Sequence, residues 1–520
     1  MTIREHFQQA AWQEPLITEL GSPGLRGVAV PRFDGPSAPA LPEGLRRPQA
    51  PALPEMSQPH VLRHFMRLSQ MTLAHNIAID APIGTTTPKY PPVVNELITR
   101  QPKLAELHPS QPIETVQGIL QLLFEFGECL KALSGMDAVA MQPGGGAHAI
   151  FANVQMIRAY HASRGDHHRD EMISTLATHP TNPAAASAAG FKIIEIPPSP
   201  SGSVDIDAVK AAVSERTAGL FLNNPEDTGV FNVNVDKIAE IVHQAGGLCS
   251  YDQANANATL GLARARESGF DLAHFNIHKT FGAPMNLFGP AAGVVCVTSE
   301  LEPFLPTPLV VKTDDAYTLD FDRPQSIGPI RAWQGNIGTL VKGYAWLRSM
   351  GEEWIREVSR IAALNNNYVQ TTMENLRGVS VSFPENTEKR IDVVRYSLEK
   401  LQQDTGFGAE DLNDRMIDYG ISAAFTAHHP YTSPEPFTLE PTESFDRDEL
   451  DELTEVYSRV VDEAYDQAET IATAPHRGAK AKMHFQIPAP GEVPLATARL
   501  LREHRGTPQS TPTTPASTHP

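Results

Sequence analysis

The sharpest chemical feature is NIHKTFGAP, residues 276–284, in which Lys279 follows a strand-like run and precedes glycine and proline. An amine held rigidly at such a point can attack a carbonyl and form a Schiff base. An ordinary surface lysine is the commoner account of any single lysine, so the neighbouring segments decide. In GGLCSYDQANANATLG, 246–261, an apolar strand ends at Asp252. That places a carboxylate at the carboxyl edge of a sheet, where open α/β sheets bind ligands; a turn or helix cap is the plainer alternative. In MQPGGGAHAIFAN, 141–153, three glycines precede an amphipathic helix, so free amides and the helix dipole can receive a phosphate. A glycine loop before a helix carries little weight alone. No Gly-Lys-Ser/Thr follows it, which excludes a nucleoside triphosphate loop.

Phosphate cradle, strand-end carboxylate and lysine, in that order, match the three handles of pyridoxal phosphate. Its phosphate needs amides, its ring nitrogen needs a carboxylate to stay protonated, and its aldehyde needs a lysine. His179, in THPTNP after the apolar run ending at Leu176, is placed to lie flat on such a ring; a hydrogen-bonded loop histidine accounts for it equally well. Asn224, in LFLNNPEDTG (220–229), can bond the cofactor's phenolic oxygen or simply close an Asn-Pro turn.

These residues need a scaffold, and 520 residues exceed a single core, so at least two domains are expected. Apolar residues make up 41% and charged residues 20%, a globular composition, with no run long enough for a membrane helix. The net charge of −19 opposes nucleic acid and anionic membranes as partners. Cys129, Cys249 and Cys296 are far apart and odd in number, which suggests neither a disulfide framework nor a metal cluster. A reducing cytoplasm fits, and the start MTIREHFQQA has no targeting pattern.

Apolar spacing predicts a helix from Ile113 to Leu133 capped by Gly135, and another after the glycine cluster. Short apolar runs at 172–176, 193–196, 220–222, 248–251 and 294–297, with a helix near 235–244, imply a mostly parallel α/β sheet. Beyond Gly338, two long helical stretches enclose VSVSF (379–383) and IDVVRYSL (391–398), which suggests a smaller α+β domain. Prolines through 22–60 favour an extended wrapping arm, and 507–520 reads as a disordered tail.

Longer blocks carry a resemblance. WQEPLITELGSPGLRG (12–27), LPEMSQPHVLRHFMRLSQ (53–70), IRAYHASRGDHHRDEMI (157–173), YDQANANATLG (251–261), HKTF (278–281), DFDRPQSIGPIRAWQGNIG (320–338) and LEPTES (439–444) are similar to the glycine cleavage system P-protein. The form resembled is the second, catalytic subunit of the split bacterial enzyme. The resemblance implies a pyridoxal-phosphate-dependent transferase of fold type I with an arm at 1–106, a cofactor domain at 107–340, a small domain at 341–486 and a tail at 487–520. It implies that Lys279 binds the cofactor covalently, Asp252 pairs with the ring nitrogen, His179 stacks on the ring and His278 adjoins it. Gly145, Gly146 and Ala147 would offer amides to the phosphate, while Thr85, Lys89, Tyr90 and His108 would approach the amino-acid substrate. Glycine would lose carbon dioxide, and the remaining aminomethyl group would pass to the lipoyl arm of a carrier H-protein. A first P-protein subunit and at least a dimer, homomeric or heteromeric, are implied partners.

The departures from that family are local. IGTTTPKYPP (83–92) keeps Lys89 and Tyr90 but lacks the family's cysteine, Ser110 stands where an aromatic is usual, and Met285, Asn286, Leu287 and Phe288 replace a glycine run after the lysine. Such a loop can close the site to a lipoyl arm, or be absorbed by repacking. TAHHPYTSPEPF (426–437) brings His428, His429 and Tyr431 toward the small domain's edge. Two other functions therefore stand beside the first: a stand-alone decarboxylase or carbon-bond-forming enzyme that needs no lipoyl carrier, and a non-catalytic partner subunit. Joint retention of Lys279, Asp252, His179 and the glycine cradle weighs against the last.

Overall fold

The computed structural model describes residues 3–479 except 6, 30, 33, 36–41, 50, 52, 73–86, 88, 284–288 and 423. Seven strands form the main sheet: β1 (Ala138–Ala140), β2 (Glu171–Thr175), β3 (Lys192–Ile196), β4 (Thr217–Asn223), β5 (Leu248–Asp252), β6 (Leu272–Asn276) and β7 (Gly293–Val297). Their spatial order is β1-β7-β6-β5-β4-β2-β3. Strands β2 to β6 are mutually parallel, and β7 runs antiparallel to both β6 and β1. The central strands β5, β6 and β7 are buried along their whole length, as expected where helices cover both faces and the sequence is continuously apolar rather than alternating. The helices Gln117–Ser134 and Val235–Gln244 lie on one face, and the helix Gly146–Ser163 lies on the other.

A second core belongs to the small domain. There β10 (Ser380–Val381), β11 (Val394–Ser397) and β12 (Pro436–Leu439) form an antiparallel sheet against the helices Ala409–Ile417 and Arg447–Asp466. A hairpin of β8 (Leu309–Lys312) and β9 (Tyr317–Asp320) packs on the helix Gln117–Ser134. One long helical element, Ile337–Met373, joins the two cores: Leu340 and Trp346 lie in the large one, Val369 and Met373 in the small one. It kinks at Gly351, whose φ of 68° no other residue type adopts as cheaply.

The strands and the helix Val235–Gln244 fall where the apolar runs place them, within a residue or two at most ends. The expected 113–133 helix starts as a single tight turn, Ile113–Thr115, and becomes α-helical from Gln117, ending at Gly135 with φ 74°. Ahead of Gln58, the described residues of the proline-rich stretch hold a single tight turn, Glu43–Leu45, and the helices Gln58–Gln70 and Val93–Thr99 follow it. The start of the chain rests on the small domain: Gln9 donates its amide to Arg477 O at 3.0 Å, and Arg4 pairs with Glu452 at 2.8 Å. The expected tail lies outside the described residues. Among those described, no helix is long and apolar enough to cross a membrane.

The two domains touch closely at Gly229, where φ is 83° and an added Cβ would stand 1.8 Å from Val393 O, just before β11. Gly229→Ala therefore has to push the domains apart. We expect a loss of about 2–4 kcal/mol in urea unfolding; a loss below about 0.5 kcal/mol would contradict this packing.

Candidate active site

Sheet register assembles the site. Asn223 on β4 pairs with Asp252 on β5, and Asp252 pairs with His274 on β6, so three polar side chains stand abreast at the carboxyl edge. Asp252 is only 5% exposed. Asn182 Nδ2 donates to its Oδ2 at 2.9 Å, the Ala254 amide donates to Oδ1 at 3.1 Å, and His274 Nε2 lies 3.2 Å from Oδ1. Burial works against the charge, yet His274, His179, Lys279 and the Ala254 amide together hold the carboxyl below its ordinary range. Burial likewise pulls His274 down.

Lys279 follows β6 in a turn closed by its own amide, which donates to Asn276 O at 3.1 Å. Its side chain shares one cleft with His179, Asp252, Asp227, Asn255 and Asp392. His179 Nδ1 accepts the Thr181 amide at 3.2 Å and lies 2.6 Å from the Thr181 hydroxyl. Its ring meets His428 edge to face at 4.5 Å. His278, beside Lys279 in sequence, is buried with Nδ1 3.2 Å from Ala292 O, and burial lowers its pKa to about 4.

The glycine cradle is built for close approach. The first helical bond there runs from the Ala149 amide to Gly145 O at 3.0 Å, and the amides of Gly146 and Ala147 find no acceptor among the described residues. A Cβ on Gly146 would lie 2.7 Å from Asn276 Nδ2, and one on Gly293 would lie 2.5 Å from Gly145 O. Asn276 Oδ1 is buried without a partner. The Arg331 guanidinium stands next to Gly144. A dianionic head fits this end, a ring nitrogen fits Asp252 and an aldehyde fits Lys279, so the residues present suit pyridoxal phosphate.

Other expected contacts are not made. Both polar atoms of the Asn224 amide are committed to Asn232, accepting its N–H at 2.8 Å and donating to its carbonyl at 3.3 Å. Asn224 thus closes a loop and also lines the cleft that holds Lys279 and Asp252. Lys89 is 2% exposed and pairs with Glu443 at 2.6 Å, lies 3.2 Å from Asn257 Oδ1 and sits 4.2 Å over the Trp346 ring. That is a buried strut rather than a substrate contact. Tyr90 is exposed, and His108 lies edge-on to Trp333 beside a separate apolar cleft. Thr85 and residues 285–288 lie outside the described residues.

The sequence reading missed several residues of the site: Asn182, His274, Asn255, Asp392, Arg331 and Glu440. His428 turns inward onto His179 instead of marking the domain edge, while His429 stacks on Tyr431 at 4.1 Å. A trio of His243, Cys249 and Asp271 sits at the opposite end of β5; burial pushes the Cys249 thiol well up, which disfavours a metal-binding thiolate.

Glu226, which also lines the cleft, is buried and accepts the Thr175 hydroxyl at 3.1 Å and Asn232 Nδ2 at 3.3 Å. Burial raises its pKa from 4.5 to about 8. The folded chain thus keeps a proton that the unfolded chain releases, and stability falls as pH rises from about 4.5 through about 8. Glu226→Gln should flatten the decline in melting temperature between those limits; an unchanged decline would refute a neutral Glu226.

The family description "Glycine cleavage system P-protein" matches residues 28–320, and "Glycine dehydrogenase, C-terminal domain" matches 358–480. A probable glycine dehydrogenase (decarboxylating) subunit 2 of Pyrococcus horikoshii is 41% identical over 502 residues, covering 96% of this chain and 98% of that protein. The protein of the same name from Methylococcus capsulatus is 40% identical over 441 residues, covering 84% and 89%. A crystal structure of an inhibitor-bound glycine decarboxylase (P-protein) of the glycine cleavage system superposes with a TM-score of 0.67 at 20% identity, covering 81% of this chain and 93% of that one. A cysteine desulfurase from Escherichia coli gives 0.57 at 15% identity, covering 76% and 97%. These neighbours and the mostly parallel seven-stranded sheet make the fold that of pyridoxal-phosphate-dependent fold type I. With one family model spanning residues 28–320, more than half of the chain, and a relative 41% identical over 96% of it, the chain belongs to the glycine cleavage system P-protein family.

Proposed function

We propose that this chain is the catalytic subunit of a P-protein, that it binds pyridoxal phosphate, and that it decarboxylates glycine and hands the aminomethyl group to a lipoyl H-protein. The observation that carries this reading is the meeting of Lys279, a buried ionised Asp252 and His179 in one cleft, on a chain 41% identical to a named glycine dehydrogenase subunit over nearly its full length. Bound there, the cofactor supplies an electron sink for the pair left behind as carbon dioxide departs.

The chain's own residues do the rest. Lys279 Nζ would hold the cofactor through its aldehyde carbon and is the amine placed to take up and give back a proton. Asp252 keeps a proton on the ring nitrogen, which its hydrogen bonds from Asn182 and Ala254 allow it to do while buried. The amides of Gly145, Gly146 and Ala147 hold the phosphate, with the helix dipole behind them. His179 would lie against one face of the ring, and the buried His278 adjoins Lys279.

A partner subunit of the first P-protein type completes the assembly in this reading, and the cytoplasm is its place of work. Leu62, Phe65 and Met66 on one helix and Val93, Val94 and Leu97 on the next are exposed apolar residues that such a partner would cover. A purely structural subunit has no need of a buried carboxylate beside a lysine.

Borohydride reduction should fix the cofactor to the wild-type protein and leave none on Lys279→Ala, whose release of carbon dioxide from glycine should drop more than about a thousandfold. Asp252→Asn should keep the bond and lose at least about a hundredfold in turnover. Cofactor fixed to Lys279→Ala, or full turnover by Asp252→Asn, would sink the assignment.

A further inference from the structure

Two more carboxyls border the cleft. Asp392, two residues before β11, lines it at 5% exposure, and Glu440, just after β12, lies behind it at 1%. One amide joins them: Asn255 Nδ2 donates to Asp392 Oδ2 at 2.8 Å and also to Glu440 Oε1. The orientation of that amide is fixed, since Asn255 Oδ1 accepts the Asn257 N–H at 3.0 Å and faces the hydroxyl of Thr280, the residue after Lys279. Thr87 donates to the same Glu440 oxygen at 2.8 Å. Asp392 Oδ1 and Glu440 Oε2 are buried and have no hydrogen-bond partner among the described residues.

Two carboxylates bridged in this way in dry surroundings cannot both ionise, so the pair retains one proton. The charged and titratable groups around it are Lys279 across the cleft, Lys89, which Glu443 already claims at 2.6 Å, and the buried Tyr251 and Asp252. Lys279 is therefore the cation left to exchange a proton with it.

We propose that Asp392 and Glu440 form a shared-proton pair that serves as the proton store for Lys279. Asp392 takes a proton from the Lys279 ammonium and later returns it. The N–H bond breaks with its electron pair staying on Nζ, an O–H bond forms on Asp392, and no other reagent is consumed. A free lysine amine is protonated at neutral pH, and only its neutral form attacks a carbonyl. Asp392 thus acts through Lys279, as a positioning residue, and the inference rests on Lys279 being the cofactor lysine. Burial raises Asp392 to about 7 and Glu440 well above its ordinary range, which suits exchange near neutrality.

The test follows covalent capture of pyridoxal phosphate by the cofactor-stripped, full-length protein, read by absorbance across pH. The wild type should show an inflection near pH 7. Asp392→Asn should lose it and capture about tenfold more slowly at that pH. Glu440→Gln, which takes away the second acid that can hold the proton, should move it away from the wild-type value. Thr87→Val, which removes one donor to Glu440, should move it upward and serves if either acid variant fails to fold. A wild-type inflection preserved in the variants that fold overturns the proposal, whatever their rates or melting temperatures. Failure of the wild type to capture any cofactor overturns the reading of Lys279, and this inference with it.

Discussion

The structure depends on keeping one carboxylate charged at the buried end of β5. An ion of this size costs several kcal/mol to remove from water unless hydrogen bonds and opposite charges compensate. Asp252 receives that compensation from three directions: Asn182 on the helix after β2, the Ala254 amide of its own strand's exit, and the imidazole and lysine of β6 and its turn. Each donor sits on a different element, so the order β4, β5, β6 and its register are prerequisites of the charge. A one-residue slip would turn Asp252 to the other face of the sheet.

The same edge is where the second domain closes. β11 reaches the loop after β4 through the Arg395 amide and Thr228 O, at 3.4 Å, and Gly229 lets the backbones touch. Asp392 enters the cleft from that strand's approach, and His428 enters from the loop before β12. The N-terminal segment adds its own ties, since Lys89 and Thr87 reach Glu443 and Glu440 from a stretch more than 350 residues away in sequence. Lys279, on a turn of the large domain, is thereby surrounded by groups that only tertiary packing brings near it.

What was legible in the sequence follows from this division. Lys279, Asp252, the glycine cradle and His179 lie at strand ends or helix starts, and local apolar patterning fixes those positions. The parallel sheet was legible for the same reason, as was the Gly135 cap. Asn182, His274, Asn255, Asp392 and His428 were not, because their roles arise from contacts between distant segments, and each alone is an unremarkable polar residue. Lys89 misled for a related reason: a lysine in a polar segment looks solvent-facing or substrate-facing, and only the fold supplies Glu443 and Trp346 to bury it. Asn224 lay between two accounts, and it both bonds its loop partner Asn232 and lines the cleft. The helix Gln58–Gln70 at the end of the proline-rich stretch was not legible, since proline at the first turn of a helix is favourable, as at Pro59.

The central claim is reversible loss of the carboxyl group of glycine at Lys279. Its most direct test is exchange of labelled bicarbonate into the carboxyl of glycine by the cofactor-loaded protein, with and without a lipoyl H-protein and a first P-protein subunit. The account predicts exchange that rises when the carrier and subunit are added. No exchange under any of these conditions, while other amino acids perturb the absorbance of the bound cofactor, would contradict it.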